Sequence, residues 1–198
     1  GLRQLLAFED DLDVIAEASN GPEAIGLANE LEPDLIILDL NMQGMDGHET
    51  LKRMRDDGVT SRIVMLTVSD SNEDVIKAIS LGADGYLLKD SDPDDLLAQI
   101  KKAVHGKMVL SDAVNAALAD AIRRPVEKPV TDISNLTNRE LEILELIAKG
   151  LSNKLIAREL DISDGTVKVH VKHLLKKLNL RSRVEAAVWM VSFQGKSA

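Results

Sequence analysis

The sequence contains no cysteine and no apolar run long enough to cross a membrane. The absence of cysteine excludes a disulfide framework, thiol chemistry and zinc bound by thiolates. A membrane-spanning helix needs about 20 consecutive apolar residues, and every apolar run here is far shorter. No secretory signal precedes the first predicted strand. These absences favour a cytoplasmic protein without membrane contact, and the 198 residues suit one large or two small domains.

Charge is distributed unevenly along the chain. Residues 134–198 contain 11 Lys and Arg against 7 Asp and Glu, a net charge of +4. The preceding residues contain 13 basic and 26 acidic side chains, a net charge of −13. This asymmetry predicts an acidic domain followed by a basic domain, each with its own partner. A chance fluctuation along the chain is the weaker alternative.

Short apolar segments alternate with amphipathic segments in the first half of the chain. Leu35–Leu38 is an uninterrupted apolar run that ends on an aspartate, which predicts a strand inside a parallel sheet. Strands that alternate with helices predict an α/β doubly wound parallel sheet with helices on both faces. Further strands are predicted at 14–18, 63–67 and 85–88, with helices at 2–8, 22–31, 49–55, 72–80 and 92–104.

Three polar residues stand at the ends of three predicted strands: Asp39, Thr67 and Lys89. Because parallel strands end at one edge of a sheet, we expect these side chains to converge there. An aspartate can accept a phosphoryl group as an acyl phosphate, and a lysine can pair with a phosphate oxygen. A divalent ion would offset the anionic charge and bind oxygen ligands such as Asp39. Polar residues often follow strands, but three in register favour phosphoryl chemistry.

The second half has a helical pattern. An Ala-rich segment at 111–122 predicts a helix, and two prolines with mixed charge at 123–132 predict a linker. Thr137 and Glu140 match a capping box at the start of the next helix. A short turn at 161–163 precedes a basic helix, which is the plan of a helix-turn-helix domain. Helices are predicted at 138–149, 153–160, 164–178 and from 182 onward.

The basic helix has two different faces. Lys168, Lys172 and Lys176 are spaced by four residues, and Val169 lies beside them. Lysines in this arrangement can reach phosphates or guanine edges, and an exposed valine can contact a thymine methyl group. A solvated lysine face is the alternative, although the positive domain charge and the turn favour DNA. The other face is predicted to be buried and consists of Val167, Val171, Leu174 and Leu178.

The segments 38–42 and 85–90, Leu-Asp-Leu-Asn-Met and Gly-Tyr-Leu-Leu-Lys-Asp, resemble bacterial response-regulator receiver domains. In that family a sensor histidine kinase phosphorylates an aspartate, and Mg²⁺ is required. On the residues alone, Tyr86 would be a core aromatic. The resemblance implies that Asp39 is the phosphoacceptor, that Thr67 supplies the switch hydroxyl and that Lys89 binds the phosphate. It also implies that Tyr86 is the aromatic residue that changes rotamer on activation, and that Asp39 and the backbone carbonyl of Asn41 bind the metal.

The sequence departs from the receiver family at its start. The family has a first strand that ends in an acidic pair, which completes the metal site, and no such strand precedes Gly1. The resemblance implies that about twenty residues, a strand and most of a helix, are missing here. The sheet is therefore expected to lack one strand and the metal site some of its ligands. The acidic run at 9–11 follows the first helix, so we interpret it as a solvated helix end.

Residues 136–187 resemble the LuxR-type DNA-binding domain of the NarL/FixJ family, and segments 150–154 and 166–173 are most similar to nitrate/nitrite response regulators. The resemblance implies that Lys168, Val169 and Lys172 read bases and that the fourth helix dimerises subunits on DNA. Domains are expected at 1–106 (receiver, truncated at its N-terminus), 107–133 (helical extension and linker) and 134–198 (DNA-binding). The predicted DNA contacts are Lys168, Val169, Lys172, Lys176, Thr166, His170, Asn153 and Lys154.

The sequence as a whole predicts a two-component response regulator, a transcription factor rather than an enzyme. A histidine kinase would phosphorylate Asp39, and a homodimer would then bind DNA, with nitrate or nitrite implied as the signal. An Asp-nucleophile phosphatase is one alternative, but Asn41 replaces the second aspartate of such sites and there is no room for a cap domain. A constitutive DNA-binding protein with a degenerate receiver is the other alternative, favoured by the missing acidic pair.

Overall fold

The computed structural model describes residues 1–104 and 133–196, so the predicted helix at 111–122 and linker at 123–132 lie outside the described residues. The first range forms an α/β domain and the second a helical domain, which confirms the predicted fold class. The elements of the α/β domain are α1 (Leu2–Ala7), α2 (Gly21–Leu31), β1 (Leu35–Asp39), α3 (Gly47–Asp56), β2 (Arg62–Thr67), α4 (Asn72–Ser80), β3 (Gly85–Leu88) and α5 (Pro93–Val104). Those of the helical domain are α6 (Asn138–Ala148), α7 (Asn153–Leu160), α8 (Asp164–Lys177) and α9 (Arg183–Lys196).

The three strands form a parallel sheet in the order β1-β2-β3. Helices α2, α3 and α4 pack on one face, and α1 and α5 pack on the other. The central strand is β2, whose residues from Ile63 to Thr67 are all buried. The prediction that β1 lies inside the sheet is wrong for the described residues, because β1 pairs only with β2. Its residues are accordingly half-buried, except for Leu38.

The predicted strand at 14–18 does not form. A strand needs a hydrogen-bonded neighbour, and within the described ranges no backbone hydrogen bond joins this segment to β1. Ile15 is 54% exposed, and the carboxylate of Glu17 accepts a hydrogen bond from Arg3 at 2.7 Å. The apolar pattern alone does not make this segment a strand, because the described residues offer it no strand to pair with.

A buried ion pair organises the end of the sheet opposite Asp39. The guanidinium of Arg55, at the end of α3, lies 2.7 Å from Asp84 Oδ2, and both side chains are almost fully buried. Arg55 also donates to three backbone carbonyls, those of Val59, Ser61 and Gly82. These hydrogen bonds hold the loops that enter β2 and β3, so Arg55 joins α3 to the amino-terminal ends of two strands.

The helical domain has its own apolar core. The predicted stripe on α8 is buried at every position: Val167, Val171, Leu174 and Leu178. Thr137 caps α6 in the predicted capping box, and the carboxylate of Glu140 accepts hydrogen bonds from Thr137 N–H and from Lys177 Nζ. None of the helices among the described residues combines the length and apolar character that a membrane span requires.

Candidate phosphoacceptor site and DNA-binding surface

Asp39 lies at the carboxyl end of β1, at the edge where β2 and β3 also end. Its Oδ2 is 2.5 Å from Nζ of Lys89, the residue that follows β3. Its Oδ1 accepts a hydrogen bond from the backbone N–H of Asn41 at 2.9 Å. The side chains of Asp39 and Lys89 are 35% and 38% exposed. The structure thus brings a carboxylate and its countercharge together at a place that a phosphodonor can reach from solvent.

Thr67 ends β2 beside this ion pair. Its backbone carbonyl accepts a hydrogen bond from the N–H of Lys89 at 2.8 Å. Its side chain is fully buried, and its hydroxyl oxygen accepts a hydrogen bond from the N–H of Ser69 at 3.1 Å. The backbone therefore places Thr67 next to Lys89, while the loop that follows β2 holds its hydroxyl.

Tyr86 is buried under that loop, with 1% of its surface exposed. Its hydroxyl donates to the backbone carbonyl of Ser69 at 3.0 Å. The hydroxyl of Ser69 donates in turn to Asp74 Oδ2 at 2.6 Å. Burial, with a contribution from Asp74, raises the pKa of Tyr86, so its hydroxyl stays protonated and remains a donor. These contacts connect β3, the β2–α4 loop and α4, and the pattern-based reasoning identified neither Ser69 nor Asp74.

The loop after β1 approaches the strand so closely that only glycine fits at its end. Gly47 begins α3, and its N–H donates to the carbonyl of Leu40 at 2.9 Å. A Cβ at this position would lie 2.6 Å from Cα of Leu40 and would also collide with the carbonyl oxygen of Asp39. The start of α3 therefore rests directly on the candidate phosphoacceptor.

The oxygen atoms near Asp39 fit a magnesium site only in part. The Asp39 carboxylate and the backbone carbonyl of Asn41 are hard oxygen ligands, whereas Mg²⁺ prefers six ligands in octahedral geometry. In residues 1–104 and 133–196 no three carboxylates or histidines converge on a possible metal position. In the acidic run at 9–11, Asp10 and Asp11 are exposed, as expected for a solvated helix end, and Lys101 forms ion pairs with Glu9 and Asp11. The described residues therefore do not make up a complete magnesium site.

Ser163 is the N-cap of helix α8, and its Oγ accepts a hydrogen bond from the N–H of Thr166 at 3.1 Å. Because its apolar stripe faces the domain core, α8 turns Lys168, Val169 and Lys172 away from that core. Val169 is 53% exposed. The three residues predicted to read bases thus share one surface of the helical domain.

This surface faces the α/β domain. Nζ of Lys168 donates to the backbone carbonyl of Glu32, the C-cap of α2, at 2.9 Å. The side chain of Lys172 lies against Gly58, where an added methyl group would come within 3.0 Å of its Cε. Two of the predicted base-reading residues are therefore engaged by the first domain.

Two arginines lie close together where the domains meet. Arg183, at the start of α9, is 6% exposed and donates to Asn153 Oδ1 at 2.5 Å and to the Leu151 carbonyl at 2.8 Å. Arg62 of β2 donates to the Ala103 carbonyl at 2.8 Å and reaches the same Leu151 carbonyl at 3.5 Å. Burial and the neighbouring Arg62 lower the pKa of Arg183 to about 9. The sequence pattern singled out neither arginine, because isolated arginines usually lie in solvent.

The other predicted DNA contacts fall into two groups. Asn153 and Lys154 begin α7 and also face the first domain, with Nζ of Lys154 at 4.0 Å from Asp34 Oδ2. The second group points elsewhere, and it consists of Thr166, His170 and Lys176.

A parallel sheet with an Asp–Lys pair at its strand ends, followed by a helix-turn-helix domain, defines a DNA-binding response regulator of a two-component system. The comparison with known families agrees: residues 1–101 match the response regulator receiver domain, and residues 134–190 match the luxR family of bacterial regulatory proteins. The chain belongs to the NarL/FixJ, or LuxR-type, family of response regulators. Receiver domains of this family generally use Mg²⁺ for phosphorylation.

Similar proteins cover nearly the whole chain. The nitrate/nitrite response regulator protein NarL of Escherichia coli K12 is 54% identical over 96% of this chain and 88% of its own length. NarP of the same organism, also a nitrate/nitrite response regulator protein, is 50% identical over 98% of this chain and 90% of its own length. A nitrate/nitrite response regulator homologue of Haemophilus influenzae is 49% identical over 95% of this chain and 88% of its own length.

Solved structures show the same fold. A LuxR-family response regulator from Aurantimonas is 29% identical and covers 62% of this chain and 88% of its own, with a TM-score of 0.55. The response regulator RcsB in a complex with DNA is 23% identical and covers 96% of this chain and 91% of its own, with a TM-score of 0.52.

Proposed function

We propose that a sensor histidine kinase phosphorylates Asp39 and that phosphorylation uncovers the DNA-reading face of α8. The observation that supports this switch most directly is the contact of Lys168 with Glu32 and of Lys172 with Gly58. The same side chains cannot contact the receiver and a base pair at once. The closed arrangement therefore prevents base readout, and separation of the domains permits it.

The chemistry proposed at Asp39 is a phosphoryl transfer. A carboxylate oxygen bonds to phosphorus while the bond between phosphorus and the kinase histidine nitrogen breaks, which leaves an acyl phosphate on Asp39. Lys89, now paired with the carboxylate, can pair with a phosphoryl oxygen instead. The hydroxyl of Thr67 can donate to another phosphoryl oxygen, and its rearrangement would disturb the loop that rests on Tyr86.

Mg²⁺ supplies positive charge to this transfer when it is bound. We propose Asp39 and the backbone carbonyl of Asn41 as the ligands that these residues contribute. Two oxygens are fewer than an octahedral ion needs, so the site requires further ligands.

The proposed partners are DNA, a sensor histidine kinase and a second copy of the chain, which α9 would contact on DNA. NarL and NarP are named for nitrate and nitrite, and we propose that this chain responds to the same signal. The protein accepts a phosphoryl group rather than turning over a phosphate ester. We retain the domain bounds 1–106, 107–133 and 134–198. The proposed DNA contacts are Lys168, Val169, Lys172, Lys176, Thr166, His170, Asn153 and Lys154.

The switch is tested by DNA binding of the full chain with and without acetyl phosphate. The probe is a duplex selected from a random pool by the acetyl phosphate-treated protein. Coupling between sites in proteins is typically about 5- to 150-fold, so acetyl phosphate should increase the affinity by that order. Asp39→Asn removes the acceptor but keeps the side-chain shape, and it should abolish the response. Equal affinity of the wild type in both states would instead support a constitutive DNA-binding protein.

A further inference from the structure

We infer that the cleft between the two domains is a binding site for a small phosphate-bearing anion, which would hold the regulator in its closed form. This interdomain cavity has a volume of about 490 Å³ and is bounded by Glu32, Asp34 and 58–62 on one side and by the starts of α7 and α8 on the other. The site is separate from the phosphoacceptor and goes beyond the proposed switch. It requires the domain contact but not phosphorylation of Asp39.

The first argument is the charge of the lining. Among the described residues, the carboxylates of the lining belong to Asp11, Glu32 and Asp34. Two of them are already near cations, because Asp11 is 3.7 Å from Lys101 and Asp34 is 4.0 Å from Lys154. In residues 1–104 and 133–196, lining cations outnumber lining carboxylates two to one, and they are Arg62, Lys154, Arg158, Lys168, Lys172 and Arg183.

The second argument is an unsatisfied donor. Arg183 is 94% buried, and its two terminal nitrogens donate to Asn153 and Leu151, but its Nε–H has no partner among the described residues. A buried N–H without an acceptor costs about 1–3 kcal/mol. Arg62 brings a second guanidinium to the same Leu151 carbonyl. An oxyanion in the cavity would offset the repulsion between the two arginines, and a turn of the Arg183 side chain toward it would give Nε an acceptor.

The third argument identifies the chemical class. Arginine guanidinium groups present planar forks that match the oxygens of phosphate, and lysines add point charges. The start of α7 adds backbone N–H groups that favour an anion. The cavity is within the size range of small-molecule sites and is larger than a single phosphate needs. The ligand can therefore be inorganic phosphate itself or the phosphate group of a small ester.

The anion would act as an effector of DNA binding. It contacts both domains only while they are closed, so its binding energy stabilises the closed form. Lys168 and Lys172 line the cavity and are also proposed DNA contacts, so the anion and DNA exclude each other. By linkage, each lowers the affinity of the protein for the other by the same factor.

The test is titration calorimetry of the unphosphorylated full chain with inorganic phosphate, without Mg²⁺ and with ionic strength held constant by NaCl. We expect saturable binding of one phosphate per chain. Arg183→Lys keeps the charge but loses Nε, and it should weaken binding about tenfold. Arg158→Gln removes an exposed lining cation without risk to the core, and it should weaken binding about threefold. Lys149→Gln removes a cation of the same domain outside the cavity and should leave the affinity unchanged.

Two further arms locate the site and its ligand. Lys89→Gln removes the cation at the phosphoacceptor, so retained binding in this variant places the phosphate elsewhere. Adenosine monophosphate compared with inorganic phosphate distinguishes an ester from the free anion, and tighter binding of either one supports the site. Absence of saturation at millimolar phosphate would overturn the inference. An equal loss of phosphate affinity in Arg158→Gln and Lys149→Gln would also overturn it. A loss of phosphate affinity in Lys89→Gln alone would likewise overturn it.

Discussion

Reversing the charge of Asp34 should release the DNA-binding domain while leaving the phosphoacceptor unchanged. Asp34 lies just before β1, and its carboxylate is 4.0 Å from Nζ of Lys154 across the domain contact. Its backbone carbonyl accepts the N–H of Arg62, and a substitution of the side chain leaves that hydrogen bond in place. Asp34→Lys therefore replaces an attraction between the domains with a repulsion, chiefly toward Lys154 and also toward the other cations of the cavity that Asp34 lines.

The size of the expected change in domain closure follows from the distance between the two charges and from the exposure of their side chains. Two unit charges 4 Å apart interact by about 1 kcal/mol in water, and the side chains of Lys154 and Asp34 are 69% and 48% exposed. Exposed ion pairs are worth about 0–1 kcal/mol, and the reversal adds a repulsion of similar size. The closed form should lose about 1–2 kcal/mol, which corresponds to about 5- to 30-fold in an equilibrium constant.

The assay is fluorescence anisotropy with the selected DNA duplex and unphosphorylated protein. We expect Asp34→Lys to bind about 5- to 30-fold more tightly than the wild type, and the gain should shrink at high salt because screening weakens the repulsion. Asp13→Lys is the matched control, since it makes the same change in net charge at an exposed position away from the cavity. If both variants gain the same factor in DNA affinity, general attraction of the added positive charge to DNA explains the effect, and the reasoning about domain closure is refuted.

Two other substitutions test the DNA-reading helix and the capping ion pair. Lys172→Ala should lower the specific DNA affinity of phosphorylated protein by about 1–3 kcal/mol, the value of one good base contact; an unchanged footprint, with Lys149→Ala as the reference, would contradict the assignment. Glu140→Gln should cost about 1 kcal/mol of stability near neutral pH, since it removes a charge-assisted hydrogen bond from Lys177. Burial acts to raise the pKa of Glu140, but hydrogen bonds from Lys177 and Thr137 outweigh it and the net pKa is lowered. The extra stability is therefore present above the unfolded pKa and lost as the pH falls through the lower folded pKa, so urea unfolding curves of the two proteins should converge in acid.

The sequence was sufficient to predict the features that depend on local pattern and chain direction. Apolar runs and turn residues located the three strands, and the parallel topology then brought Asp39 and Lys89 to one edge. The spacing of four, three and four residues between Val167, Val171, Leu174 and Leu178 predicted the buried stripe correctly, because a helix that packs on a core must bury one face.

Features that depend on partners remote in sequence escaped prediction. The segment at 14–18 has a plausible strand pattern, but no local signal could show that it would find no neighbour. The contact of Lys168 with Glu32 joins residues 136 positions apart, and the type of neither residue predicts it. Arg183 looks like an ordinary helix-start residue, and no local signal shows that it is buried and hydrogen-bonded to Asn153 and Leu151, 30 and 32 positions earlier.

The proposed phosphoacceptor and the proposed DNA-reading surface lie at opposite ends of the sheet, so in the proposed switch a signal from Asp39 would have to cross the receiver to reach α8. Helix α3 runs from one end of the sheet toward the other and is about 15 Å long for its 10 residues. It begins at Gly47, which rests on the backbone of Asp39. It ends beside Gly58, which supports Lys172.

The structure of α3 suits it to carry displacement from one end to the other. Leu51 and Met54 are fully buried, so the middle of the helix cannot shift independently of the core. Arg55 ties its last turn to the carbonyls of Val59 and Ser61, in the loop against which the DNA-binding domain rests. A movement of the β1–α3 loop on phosphorylation would therefore tend to move α3 as a unit together with this loop. The proposed coupling between phosphoacceptor and DNA surface then needs no contact between them, because α3 contacts the backbone of Asp39 at its start and is tied at its end to the loop that contacts Lys172.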